Sequence, residues 1–267
     1  MLIERGSYIG DRDAQEDAAD GSGCVHDDGV QRYDDHGHQH PALRTRGHRG
    51  ERRHRRHRGR IQEPARRLER RSGGEQATGR REINWDGAAA NAFDNSNTFP
   101  ADFFNTTAKV GAVFTTDGTG FRNDSTKFVE VNPTYADQFR FFSANKIFAP
   151  VGSNVLDVLF QVAGQPTPAV SSGFGIVLSD VDAANATTIE LFAQDGTSLG
   201  IIAAPVRSDT VGLSFVGVSF DRPVIARVRV TLGTGALGAG VDDISAGGVK
   251  DLVVLDNLIY GEPKKAF

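Results

Sequence analysis

Apolar and polar residues alternate in short runs through the C-terminal two-thirds of the chain, the period of half-buried strands. Residues 225–232 (IARVRVTL) place Ile225, Arg227, Arg229 and Thr231 on one face. Ala226, Val228, Val230 and Leu232 take the other face, the one expected to meet a core. Residues 187–192 (TTIELF) and 213–220 (LSFVGVSF) alternate in the same way. Residues 109–115, 155–162, 174–178 and 198–204 are further strand candidates, bounded by turn residues such as Asp117-Gly118 and Gly164-Gln165-Pro166. Asp195-Gly196 between two apolar runs predicts a hairpin. Residues 251–260 (DLVVLDNLIY) are the most apolar run and are expected at the centre of a sheet. Strict alternation there sets Val254, Asp256 and Leu258 on one face. Helical periodicity is sparse: a single turn is expected after Pro133, and Gly/Ala-rich residues 233–248 read as a long loop.

The pattern stops upstream of about residue 81, and composition changes with it. All 17 Phe lie from Phe93 onward, and all seven His lie at or before His57. Residues 1–40 carry a net charge of −7, residues 41–81 of +11, and residues 82–267 of −8. Residues 1–78 are therefore expected to form a disordered, low-complexity and dispensable leader, because they lack the apolar side chains of a core. Residues 79–267 are expected to form one folded domain. The leader admits two origins. His36, His38 and His40 with the Arg-rich stretch at 52–60 suit a metal- or nucleic-acid-binding arm. The preferred origin is a frame-shifted translation. With CGT for Arg and CAC for His, a one-base shift turns residues 52–57 (RRHRRH) into Val-Val-Thr-Val-Val-Thr, a strand-like run.

Many short strands with few helices predict an all-β fold, a two-sheet antiparallel β-sandwich of jelly-roll type. The acidic folded part argues against nucleic-acid binding. No apolar run approaches the length of a membrane span, and MLIERGSYIGDRDAQED lacks the apolar stretch of a signal peptide. The only cysteine is Cys24, so no disulfide forms within the chain. With no His after His57, the folded part has no His-dependent triad and no His-ligated zinc, and carboxylates remain for chemistry.

Several segments carry a likeness: GRREINWDG (79–87), FPADFFN (99–105), GFGIVLSDVD (173–182), LFAQDGTSLG (191–200), FVGVSF (215–220), IARVRVTLG (225–233) and DLVVLDNLIYGE (251–262). Together they resemble uncharacterised exported bacterial β-sandwich proteins, similar to PEP-CTERM-type jelly-roll domains. That resemblance implies export to the cell surface or beyond and a non-catalytic role. It supplies no ligand. Carbohydrate or cell-surface components are candidate partners of a binding role.

Two carboxylate groups are candidate Ca²⁺ ligands, since hard oxygen donors suit that ion. Asp180 and Asp182 flank Val181 and share a face of an extended segment; the alternative is a polar loop. Asp256 interrupts an apolar strand, where a buried carboxylate needs partners or a cation. By likeness to jelly-roll binding modules with a Ca²⁺ between first and last strands, Glu82 or Asp86 joins it. The alternative is that Asp256 faces solvent or accepts backbone N–H bonds. Asp242 and Asp243 are expected to be solvated. Trp85, the only Trp, either stacks on a sugar or is buried. The expected function is a non-catalytic structural or binding role. A Ca²⁺-stabilised carbohydrate-binding module is the first alternative, and a glycoside hydrolase using two carboxylates the second.

Overall fold

The computed structural model describes residues 1–8, 31–32, 73–207 and 212–266. Most of the expected leader, including the His-rich and Arg-rich stretches and Cys24, lies outside the described residues.

Fifteen strands follow one another along the described chain. They are β1 (Leu2–Tyr8), β2 (Gln31–Arg32), β3 (Arg80–Ile83), β4 (Ala112–Thr115), β5 (Gly120–Asp124), β6 (Ile147–Val151), β7 (Val155–Phe160) and β8 (Ala169–Val170). Then come β9 (Gly173–Ser179), β10 (Thr188–Phe192), β11 (Ser198–Ala203), β12 (Leu213–Ser219), β13 (Arg227–Thr231), β14 (Val254–Gly261) and β15 (Lys264–Lys265). The first sheet has eight strands in the order β2-β1-β12-β9-β14-β6-β5, with β3 also on β14. The second has five, in the order β11-β10-β13-β7-β4, and β15 pairs with β8. All strand pairs are antiparallel. Neither main sheet closes into a barrel, so the fold is the expected all-β sandwich.

Alternation builds the core as expected. Phe174, Ile176 and Leu178 of β9 and Val216 and Val218 of β12 meet Val228 and Val230 of β13 and Leu156 and Val158 of β7 in one apolar cluster. Arg227 and Arg229 stay on the outer face, where both bond Asp157. The Phe-rich composition is explained by one region of this core. Trp85 is fully buried and stacks on Phe148 at 4.0 Å, with Phe99, Phe104 and Phe114 around it. The indole N–H donates to Asp256 O at 2.7 Å, which gives the buried ring its polar partner.

Three elements depart from the pattern. β14 is central as expected, between β9 and the β3/β6 pair, but its pairing with β9 shifts register between Leu255 and Leu258. The bulge adds a residue and resets the alternation. Leu255 and Leu258 therefore both enter the main core, while Val254 joins a second cluster with Phe128, Tyr135, Phe139 and Leu252. The turn after Pro133 forms as a 3₁₀ helix, Pro133–Asp137, whose first turn is capped by Asn132. At the N-terminus, Leu2–Tyr8 pairs residue for residue with β12, from Leu2 opposite Ser219 to Tyr8 opposite Leu213. This segment, read from sequence as leader, thus supplies a strand next to the edge of the larger sheet.

Candidate functional site

Three strands of the larger sheet, β9, β12 and β14, begin or end at one end of the sandwich, and the acidic residues collect there. β9 ends at Ser179, which pairs with both Leu213 and Val254. The next residue, Asp180, turns the chain with φ +71°, a left-handed conformation that Asp tolerates better than most residues. Its N–H donates to Gly212 O. Asp182 follows in the same loop. Asp243, at the start of the 3₁₀ turn Ile244–Ala246, comes in from the Gly-rich loop. One carboxylate oxygen from each of Asp180, Asp182 and Asp243 lies within 4.8 Å of the others.

Asp243 corrects the sequence expectation. It is fully buried rather than solvated. Its Oδ1 accepts from Ser245 N and its Oδ2 from Leu252 N, both at 2.7 Å. Asp242 is half-buried and accepts from Asn132 Nδ2 and Thr134 Oγ1. The signal that could have found Asp243 is its place as the capping residue of a short turn, Asp-Ile-Ser, which ties the carboxylate to local backbone.

Asp251 stands behind this cluster. It accepts from the N–H groups of Asp182 and Ala183 and so holds the Asp180–182 loop against the start of the last strand region. Burial pushes its carboxyl above the usual carboxylate range. The two backbone donors oppose that shift, and the charge of Asp243 adds to it. The site is thus crowded with negative charge. Oxygen-only donors, two of them buried and the half-buried Asp182 open towards water, fit a hard divalent cation such as Ca²⁺. Arg207, itself buried, is tied to this loop through the backbone: its main-chain N–H donates to Val181 O between the two aspartates.

Of the other predicted ligands, Asp256 and Asp86 lie near one another, whereas Glu82 faces solvent. Asp256 is fully buried in the β14 bulge, and its carboxylate accepts from Phe142 N at 2.7 Å and Ser143 Oγ at 2.8 Å, with Ser143 N at 3.3 Å. Burial pushes its carboxyl up; those donors oppose the shift and the Asp86 charge adds to it. Asp86 is therefore a neighbour of Asp256, and its Oδ1 accepts from Asn145 N. Glu82 is exposed on β3, between inward-facing Arg81 and Ile83. Trp85 is in the core and offers no surface to a ligand.

A groove that sequence reasoning missed crosses the outer face of the larger sheet. Its volume is ≈ 930 Å³. Neighbouring strands align Glu4, Gly217, Gly175, Ile259 and Glu82 in one row across β1, β12, β9, β14 and β3. The missed signal was the glycine at alternate outward positions of two predicted strands, GFG in β9 and VGV in β12.

No protein-family model, no curated protein and no solved structure matches this chain.

Proposed function

We propose that this chain is a non-catalytic β-sandwich protein with a structural or binding role at the cell surface or outside the cell, its loop end clipped by Ca²⁺. The convergence of Asp180, Asp182 and Asp243 carries the proposal. A divalent ion there would tie the end of β9 to the loop before β14, and it would relieve the repulsion that burial imposes on the aspartates. Extracellular modules hold Ca²⁺ with dissociation constants on the order of 10⁻⁴–10⁻³ M, which three carboxylates and water suit. The likeness of GRREINWDG and the later segments to exported β-sandwich proteins supports that placement.

The non-catalytic role is supported by where other buried charge goes. Arg81 pairs with Glu262, Arg122 with Asp124 and Glu130, and Asp256 holds the 142–143 loop. These bonds join strands and loops to one another.

The test is thermal unfolding of the full chain with chelator, with about 2 mM Mg²⁺ and with about 2 mM Ca²⁺. A ligand bound only by the folded state adds RT ln(1 + [L]/Kd), which at about 2 mM and such a Kd is roughly 0.6–1.8 kcal/mol. Ca²⁺ is expected to raise the midpoint by several degrees, more than Mg²⁺, and Asp182→Asn to abolish the gain. Equal midpoints under all three conditions would leave the aspartates with a role inside the fold and no bound ion.

A further inference from the structure

The groove on the outer face of the larger sheet is separate from the acidic loop end. Its floor exists because two facing residues lack side chains. A Cβ at Gly175 would lie 2.8 Å from Ile259 Cγ2 and 3.1 Å from Phe215 Cζ. A Cβ at Gly217 would lie 2.9 Å from Phe215 Cε1. The far edge of the Phe215 ring thus leans over both glycines instead of standing off the sheet. Phe215 is half-buried, so the ring has one side on the glycine floor and surface left towards the groove. Glycine weakens a strand interior and marks close approach of a ring, a backbone or a ligand. Here it lowers the floor beneath an aromatic platform.

The rim is polar and of mixed sign. Glu4 lies beside Gly217, with its Cβ 3.9 Å from where a Gly217 Cβ would be. Asp221 and Arg80 line the groove with Ser172 and Ser219. The volume falls within the range of roughly 300–1,000 Å³ typical of small-ligand sites. Charge decides among occupants. An acidic domain whose groove carries both signs does not favour a polyanion. An acyl chain would cover the rim hydroxyls and carboxylates without bonding them, at a cost for each group. A neutral oligosaccharide matches both parts: its C–H face rests on the Phe215 ring, and its hydroxyls bond the rim.

We propose that this groove, with Phe215 as platform and Glu4, Arg80 and Asp221 as hydroxyl-binding rim, is a binding site for a neutral oligosaccharide. The proposal rests on the non-catalytic binding role given above and not on the Ca²⁺ site.

The probes are cellohexaose, N-acetyl-chitohexaose and xylohexaose, each titrated into the full chain by calorimetry and by amide NMR. At least one is expected to bind and to shift the amides of Gly175 and Gly217. Phe215→Ala should weaken that binding about tenfold or more, as removal of a central aromatic anchor does, while leaving the Ca²⁺-dependent melting shift intact. Gly217→Ser, which puts a side chain into the floor, should weaken it as well and guards against a fold effect of the first variant. Absence of heat and of amide shifts with all three probes would overturn the site, as would binding that neither variant alters. Binding of decanoate at these amides without saccharide binding would overturn the ligand class. Cleavage of a bound probe, followed by chromatography, would keep the site and overturn the non-catalytic role.

Discussion

Arg81 and Glu262 show what a single buried contact does here. Both side chains are almost fully buried, and the guanidinium Nε and Nη2 bond the two carboxylate oxygens at 2.6 and 2.8 Å. The pair joins β3 to the segment just after β14. Removing one partner strands a charge in the interior, which costs about 3–5 kcal/mol, whereas replacing both by apolar residues of similar size is often near neutral. Glu262→Ala is therefore expected to lower urea stability by about that amount, and Arg81→Met with Glu262→Leu to recover most of it. A double variant as unstable as the single one would show that the pair's hydrogen bonds to its surroundings matter more than its charge. Asp256 gives a pH signature. Its folded-state carboxyl is raised by burial, so above the ordinary value of about 3.9 the folded chain holds a proton that the unfolded chain has released. Stability contributed by this group is complete below that value and is lost as pH rises through the folded value. The stability of wild type relative to Asp256→Asn is expected to fall with rising pH across that window. A difference independent of pH would mean that Asp256 titrates normally.

Among the elements, β1 has the most to test. Its seven backbone pairs with β12 cover an edge that would otherwise offer unpaired N–H and C=O groups to another chain. Its described side chains contribute little beyond Ile3, which packs against the main core. Burying part of such a side chain is worth about 1 kcal/mol. A chain lacking residues 1–8 is expected to melt several degrees lower than the full chain and to self-associate in light scattering. Replacing residues 9–72 by a Gly/Ser linker of about 25 residues, which reaches roughly 25–30 Å, removes only the two-residue β2 from the sheet and is expected to lower the melting temperature less than removal of residues 1–8 does. Equal midpoints for the chain without residues 1–8 would show that β1 adds nothing to the domain. Sequencing of the locus is expected to show a forward-shifted reading frame that ends near the codons for Ser72 to Glu75; a single unbroken frame would exclude the frame-shifted origin of the leader.

At the scale of the whole molecule, one strand links the two apolar clusters. Val254 belongs to the smaller cluster, and the adjacent Leu255 to the larger. Tyr135 ties the smaller cluster to the Gly-rich loop by donating to Val241 O at 2.8 Å. Burial pushes its phenol above the usual range. Because β14 is shared, the clusters are expected to unfold together, with Trp85 fluorescence and far-ultraviolet circular dichroism giving coincident urea transitions. Separate midpoints would identify the smaller cluster as an independent unit.

Strand positions with strict alternation were legible from the residues alone. In β10, β12 and β13 the period of two already states which side faces the core, because side chains on a pleated strand must alternate. The Asp-Gly hairpin and the turn after Pro133 were legible for a similar local reason, since turn geometry depends on a few adjacent residues. The β14 bulge was not, because a register shift is decided by the partner strands and not by the strand itself. Asp243 could be seen as an acidic loop residue, but its burial beside Asp180 and Asp182 follows from loops 61–63 residues apart meeting at one end of the sheet. The groove lies furthest from what a linear pattern contains. Gly175 and Gly217 are unremarkable apart, and only the register of β9 against β12 sets them side by side beneath Phe215.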